Sequence, residues 1–394
     1  MHCGTKASID GDWNLVQPAT IESPFRVLLM SVGSLVAQNV LDCLARHDRR
    51  YFLIGANTDP EAPGNFRCDM AYTVPQTDVG PTCLDVYRAI LDAERPHLVI
   101  PCRDDDLSAL AALRAEHGDD PAFLCGSEAA AALFVDKLAV YHFALRHGLP
   151  FAPTAQDPAD VAALVSEHGF PIVAKPRHGA GSRGVAVLRD AVDLDRAMVV
   201  GGYVFQPFLA PPGNWSDILR SFDVGIPLHF AVPVPDQYTG QAFIGPDGSL
   251  AGAFCSVVAM DAGKVAASRR IECPSFMAVV RAFATAAAVE GHRGPLNLQC
   301  RKLTDGRYVP IEVNGRYSGS TSARALQGYD EVELAVRLAL GQPLPPTPTG
   351  TSYPMVYKVP TDATVLYANA ETLRRDGVWQ SRLNGDRAVK PAKR

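Results

Sequence analysis

Between residues 25 and 125 the chain alternates two apolar patterns, and this constrains its fold more than any single residue does. "FRVLLMSVG" (25–33) is an apolar run of the kind a buried strand makes, closed by a turn at Gly33. "SLVAQNVLDCLARH" spaces its apolar residues along one face of a helix. "RYFLIGANT" reads as a second strand, "CLDVYRAILDAERP" as a helix and "HLVIPC" as a third strand. "DLSALAALRAEHG" is a helix stopped by glycine. Strands separated by helices pair in parallel through right-handed crossovers. The spacing therefore predicts a Rossmann-like domain over residues 24–125. A dinucleotide-binding domain of that kind carries G-x-G-x-x-G in its first strand-to-helix turn. Here that turn, "MSVGSLVAQ", has one glycine.

The 394 residues suffice for two or three domains with ample core. A net charge of −5 argues against a nucleic-acid partner, which would call for a basic face. No apolar run approaches the roughly 18 residues needed to span a membrane. The opening "MHCGTKASIDGDWNLVQ" has no apolar signal-peptide segment, and residues 1–23 are expected to form a flexible arm. The nine cysteines include no C-x-x-C pair, which suggests reduced, buried thiols and a cytoplasmic protein.

A G-x-G-x-x-G does occur, at Gly179, Gly181 and Gly184 in "KPRHGAGSRGVAVL". Its context is wrong for a dinucleotide, because "PIVAKP" before it and "GVAVL" after it both read as strands. The expected element is a hairpin with a glycine tip. Backbone N–H groups in such a tip can approach phosphate without Cβ interference, with Lys175, Ser182 and Arg183 beside them. A bare turn is the alternative. His178 is either a proton shuttle or an ordinary loop residue.

A second hairpin lies in "GPLNLQCRKLTDGRYVPIEVNGRYSGS" (294–320). A two-residue turn at Asp305-Gly306 would pair Gln299 with Glu312 and Asn297 with Asn314. All four side chains then share one face. They form either a hard-cation site centred on Glu312 or a solvated polar face. Arg316 follows closely and could balance phosphate charge. "SEAAAALFVDKLAVYHFALRHGLP" (127–150) reads as helical, with Ser127 as N-cap. "RDDD" (103–106) offers Asp104 or Asp105 as cap of the next helix, or else as a contact for a substrate amine. "GQPLPPTPTGTSYP" (341–354) reads as a linker to a tail holding the strand-like "PMVYKV".

In this order the motifs resemble the ATP-grasp superfamily, in its carbamoyl phosphate synthetase-like branch, from about residue 25 to 345. "LFVDK" matches the first ATP-binding lysine at Lys137, and "FPIVAKP" the second at Lys175. "GAGSRGV" matches the glycine loop that closes over the phosphates, giving His178, Gly179, Gly181, Ser182 and Gly184. "YVFQPFL" resembles the hinge against which adenine packs, giving Gln206, Pro207, Phe208 and Leu209. "GPLNLQC…YVPIEVNGRYSGS" matches the metal signature, giving Gln299, Glu312 and Asn314, with Arg316 as a catalytic arginine beside Lys175. The hinge departs from the usual glutamate, which leaves Asp217 and Asp223 as ribose candidates.

The resemblance implies an α/β and α+β protein. A Rossmann-like pre-ATP-grasp domain (24–125) would precede a two-lobed ATP-grasp domain (126–345), with a small lid lobe at 150–208, a large metal-binding lobe at 209–345 and a C-terminal extension at 346–394. It implies ATP, with Mg2+ or Mn2+, and an acyl phosphate formed from a carboxylic acid and displaced by an amine or amino acid. Arg220, Arg269 and Arg270 are candidates for holding the acid, and a homodimer is a family-level expectation. A carbamoyl-phosphate-synthetase-like or carboxylase-like step, or a nucleotide sensor without turnover, are the alternatives.

Overall fold

The computed structural model describes residues 23–76, 80–120, 122–179, 181, 183–209, 237–261, 264–345, 355–359 and 361–381. Residues 1–22 of the N-terminal arm, residues 210–236 with Asp217, Arg220 and Asp223, Ser182, and most of the Pro-rich linker lie outside the described residues.

The strand–helix alternation builds a parallel sheet. Strands β1 (Phe25–Leu29), β2 (Tyr51–Asn57), β3 (Met70–Thr73), β4 (Leu98–Ile100) and β5 (Ala122–Phe123) pair in the order β3-β2-β1-β4-β5. Helices α1 (Leu35–Leu44), α2 (Pro81–Glu94) and α3 (Asp104–His117) make the crossovers. The tight turn after β1 leaves little space: a Cβ on Gly33 would lie 2.6 Å from Asn57 Nδ2 and 2.7 Å from Ala62 Cβ. α1 buries its apolar stripe against helices 321–326 and 331–339, so Val40 and Leu41 share one core with Val332 and Val336.

The segment 127–150 is two helices, not one: α4 (Glu128–Val135) and α5 (Lys137–Arg146). Asp136 makes the break. Its side chain caps α5 by accepting from the N–H groups of Leu138 and Ala139, and it also receives Arg177. An N-cap backbone is extended, so the helix cannot run through it. Ser127 caps α4 as the sequence suggested.

After α6 (Pro158–His168) comes a small antiparallel sheet of β6 (Ile172–Pro176), β7 (Ala186–Leu188) and β8 (Tyr203–Pro207), ordered β7-β6-β8 and backed by α7 (Ala191–Val200). A larger antiparallel sheet follows from β9 (Gln237–Ile244), β10 (Leu250–Asp261), β11 (Lys264–Arg270), β12 (Gly294–Lys302) and β13 (Tyr308–Asn314), ordered β13-β12-β9-β10-β11. Helix 274–289 covers one face, burying Leu296, Leu298 and Cys300 against Phe276, Val280 and Phe283. Alternation along β12 therefore turns Asn297, Gln299 and Arg301 to the opposite face.

The tail after residue 354 joins both large sheets. β14 (Val356–Tyr357) pairs with β11, and β15 (Val378–Gln380) pairs antiparallel with β3. Among the described residues, no helix is long and apolar enough to cross a membrane.

Candidate functional site

The register of the polar hairpin is set by two offsets that cancel. The turn is not the expected two-residue one. Leu303 N–H bonds to Arg307 O (2.8 Å) and Gly306 N–H to Leu303 O (3.0 Å), leaving a three-residue loop with Gly306 at φ +86°. This shifts the pairs nearest the turn by one, to Lys302↔Tyr308, Arg301↔Val309 and Cys300↔Pro310. A bulge then leaves Ile311 as the extra residue, and beyond it Gln299 pairs with Glu312 and Asn297 with Asn314. β13 is an edge strand, which accommodates Pro310.

The bulge supplies an acceptor at the hinge. Lys175 Nζ, buried in β6, donates to Ile311 O (3.1 Å), and Gln206 Nε2 donates to the same carbonyl (3.3 Å) and to Thr154 Oγ1 (2.9 Å). Burial pushes the Lys175 pKa down to about 8, while the charge of Glu312 pulls it upward. Leu209 packs beside Val309 and Ile311, and Phe208 is buried at the end of β8.

The glycine tip lies between β6 and β7. Gly179, Gly181 and Gly184 have φ of +106°, +70° and +75°, a region costly for any side chain. Lys137 Nζ donates to Gly179 O (2.7 Å), joining the first expected lysine to the tip. His178 Nδ1 lies 3.3 Å from Val135 O. The neighbouring Arg177 pairs with Asp136 (2.6 Å), a clamp between lid and helix that no motif signalled.

A cleft of about 660 Å3 gathers these parts. His178, Gly179 and Gly181 line it from the tip, Asn297, Gln299 and Arg316 from the large lobe, and Ser34 and Asp104 from the first domain. A smaller cavity beside it is lined by Lys137, Gly179, Glu312, Asn314 and Asp104. Arg269 and Arg270 do not line either cavity. Arg269 is exposed, and Arg270 is tied to Glu272 at 2.9 Å, so the structure does not bring them to the cleft. Lys264, on the same strand, does line it. The cap of α3 is neither Asp104 nor Asp105. Asp106 Oδ2 accepts from the N–H groups of Cys102 (3.0 Å) and Arg103 (2.9 Å), while Asp104 pairs with Arg316 at 2.6 Å. Sequence alone could not separate three consecutive aspartates.

The hairpin end is wedged by His292, which is buried with its ring centroid 4.9 Å from that of Phe134 and its Nε2 donating to Pro295 O (3.1 Å). A Cβ on Gly315 would come within 2.9 Å of that ring. Burial pushes the His292 pKa down to about 4. A folded-state pKa below the unfolded one means that the unfolded chain binds more protons, so stability falls as pH drops from about 6.5 to about 4. The expected loss is about 3 kcal/mol in urea unfolding across that window. His292→Phe should flatten this part of the profile, and an unchanged slope in that variant would exclude His292 as its source.

A glycine hairpin facing a polar antiparallel sheet, behind a parallel α/β domain, defines an ATP-grasp architecture. No protein-family model matches the chain. In sequence it is similar to the formate-dependent phosphoribosylglycinamide formyltransferase of Burkholderia pseudomallei (strain 668), with 29% identity over 339 residues, 82% of this chain and 77% of that protein. It is 32% identical to the enzyme of the same description from Burkholderia mallei (strain SAVP1) over 190 residues, 46% of this chain and 44% of that protein. The chain thus spans less than half the length of that relative. In structure it is similar to the ADP complex of an N5-carboxyaminoimidazole ribonucleotide synthetase, with a TM-score of 0.62 and 14% identity over 82% of this chain and 79% of that one. The fold is that of the ATP-grasp enzymes.

Proposed function

We propose that the protein is an ATP-dependent carboxylate–amine ligase that works through an acyl phosphate. The observation that carries this reading is the convergence of Lys137, the glycine tip, Glu312, Asn314, Gln299 and Arg316 around two adjoining cavities. Lys137 and Lys175 would bind the phosphates, the tip would cover them, and Gln206 to Leu209 would receive the adenine. Removing water from the cleft would protect the acyl phosphate from hydrolysis. With no nucleophilic side chain required, the protein's contribution is positioning and charge. The buried state of seven of the eight described cysteines agrees with that role and with a cytoplasmic enzyme.

The donor set fits magnesium, or manganese in its place. Glu312 contributes a carboxylate and Gln299 and Asn314 contribute amide oxygens, which suits a hard cation that also takes phosphate oxygens and water. Bound there, the metal would neutralise charge on the transferring phosphoryl group. Among the described residues no cluster of three or more His, Cys, Asp or Glu competes as a site.

The reading is tested by ADP and phosphate release over a panel of small acids and amines. Formate leads the acids, because the formyltransferase relatives are formate-dependent by name. Release that requires an acid together with an amine supports a ligase. Nucleotide binding without release for any pair would make the protein a sensor.

A further inference from the structure

Asp104 stands at the C-terminal end of β4, where the first domain meets the large lobe, and Asp106 has taken its capping duty. Its Oδ2 accepts from Arg316 Nη2 at 2.6 Å. Its Oδ1 is buried and has no hydrogen-bond partner. Arg316 Nε is likewise buried and without a partner. Both residues are more than nine-tenths buried, both line the large cleft, and Asp104 also lines the small cavity with Glu312 and Asn314. Buried polar atoms without a partner call for an explanation, and beside a cleft a bound group supplies one. One ion pair thus presents two unpaired groups of opposite polarity. The carboxylate asks for an N–H donor, and the guanidinium, a donor only, asks for an anionic oxygen.

Amide formation brings such a pair of groups together. We propose that Asp104 holds the attacking amine, taking one of its N–H groups on Oδ1, while Arg316 Nε holds an oxygen of the acyl phosphate. The inference rests on the ligase reading. Attack forms the N–C bond and breaks the C–O bond to the phosphoryl group. The bonding pair leaves on phosphate, which also carries off the proton released by nitrogen. The nitrogen must therefore have two hydrogens, one held by Asp104 and one lost. This selects a primary amine or ammonia over a secondary amine.

The test uses the full chain with hydroxylamine and N-methylhydroxylamine as nucleophiles and whichever acid of the panel supports ADP release. Acyl phosphate formation is read separately, as acid-dependent positional isotope exchange in labelled ATP without amine. Wild type should use hydroxylamine about tenfold better than N-methylhydroxylamine, the worth of one charge-assisted hydrogen bond. In Asp104→Asn, Arg316 claims the amide oxygen and turns the NH2 group toward the amine. Its KM for hydroxylamine should rise about thirtyfold, with loss of the preference and isotope exchange kept within about threefold. Asp104→Glu, which keeps the carboxylate, should restore much of the affinity. An unchanged hydroxylamine KM in Asp104→Asn would overturn the proposal. So would parallel loss of exchange and amide formation, the mark of a structural role, or a raised magnesium requirement with amine KM unchanged. Absence of exchange with every acid in wild type would remove the ligase reading and this inference with it.

Discussion

Glu312→Gln is expected to lower turnover by about three orders of magnitude or more while leaving the fold intact. Glu312 is the one carboxylate of the proposed metal set, since its cross-strand partner is the neutral Gln299. The substitution keeps the size of a half-buried side chain and removes the charge facing Lys175. The measurement is ADP release against magnesium concentration, beside a urea unfolding curve. Near-normal turnover at limiting magnesium would take Glu312 out of the site.

Arg324→Leu should act on stability instead. Arg324 and Glu331 are both fully buried and paired at 2.5 Å, behind the Ser318–Ser320 turn that lines the cleft. The guanidinium also donates to Ser320 Oγ (2.9 Å) and Ser318 Oγ (3.0 Å). Glu331 is held in turn by Thr321 Oγ1 (2.7 Å) and by Gln241, whose Oε1 accepts from Asn297 at 2.9 Å. Removing one partner strands a buried charge and should cost about 3–5 kcal/mol. The double variant Arg324→Leu/Glu331→Leu should recover a large part of this loss, because no charge is then left unpaired. A double variant no more stable than the single one would show that the hydrogen bonds around the pair, rather than the stranded charge, carry the cost.

The parts of the fold that depend on local pattern were legible in the sequence. Apolar periodicity marked β1, β2 and β4 with their crossover helices, because a strand buried in a parallel sheet must be continuously apolar. Alternation marked β7, a short apolar run marked β6, and the Asp305-Gly306 turn signal marked the hairpin of β12 and β13, all in antiparallel sheets. The break at Asp136 was missed because the apolar pattern runs on through it, although an aspartate that caps the following helix is a local signal. β3 and β15 were also missed, being short strands that exist through their partners. For the site, the pairing of Gln299 with Glu312 was anticipated although the turn was misread. The three-residue loop moved the register one way and the Ile311 bulge moved it back. The Asp104–Arg316 pair spans 212 residues of sequence, and no spacing rule reaches that far.

The placement of β15 carries a consequence for synthesis. Thr73 Oγ1 donates to Leu373 O across a separation of 300 residues, and Trp379 packs in one small core with Ala71 and Leu373. On the ribosome, the parallel sheet is therefore completed only after the large lobe has been made. Until residues 378–380 emerge, β3 presents an unpaired edge to every other chain nearby, the kind of edge that templates aggregation. Growing chains that stall within the large lobe would carry that open edge, and chaperones would encounter it there.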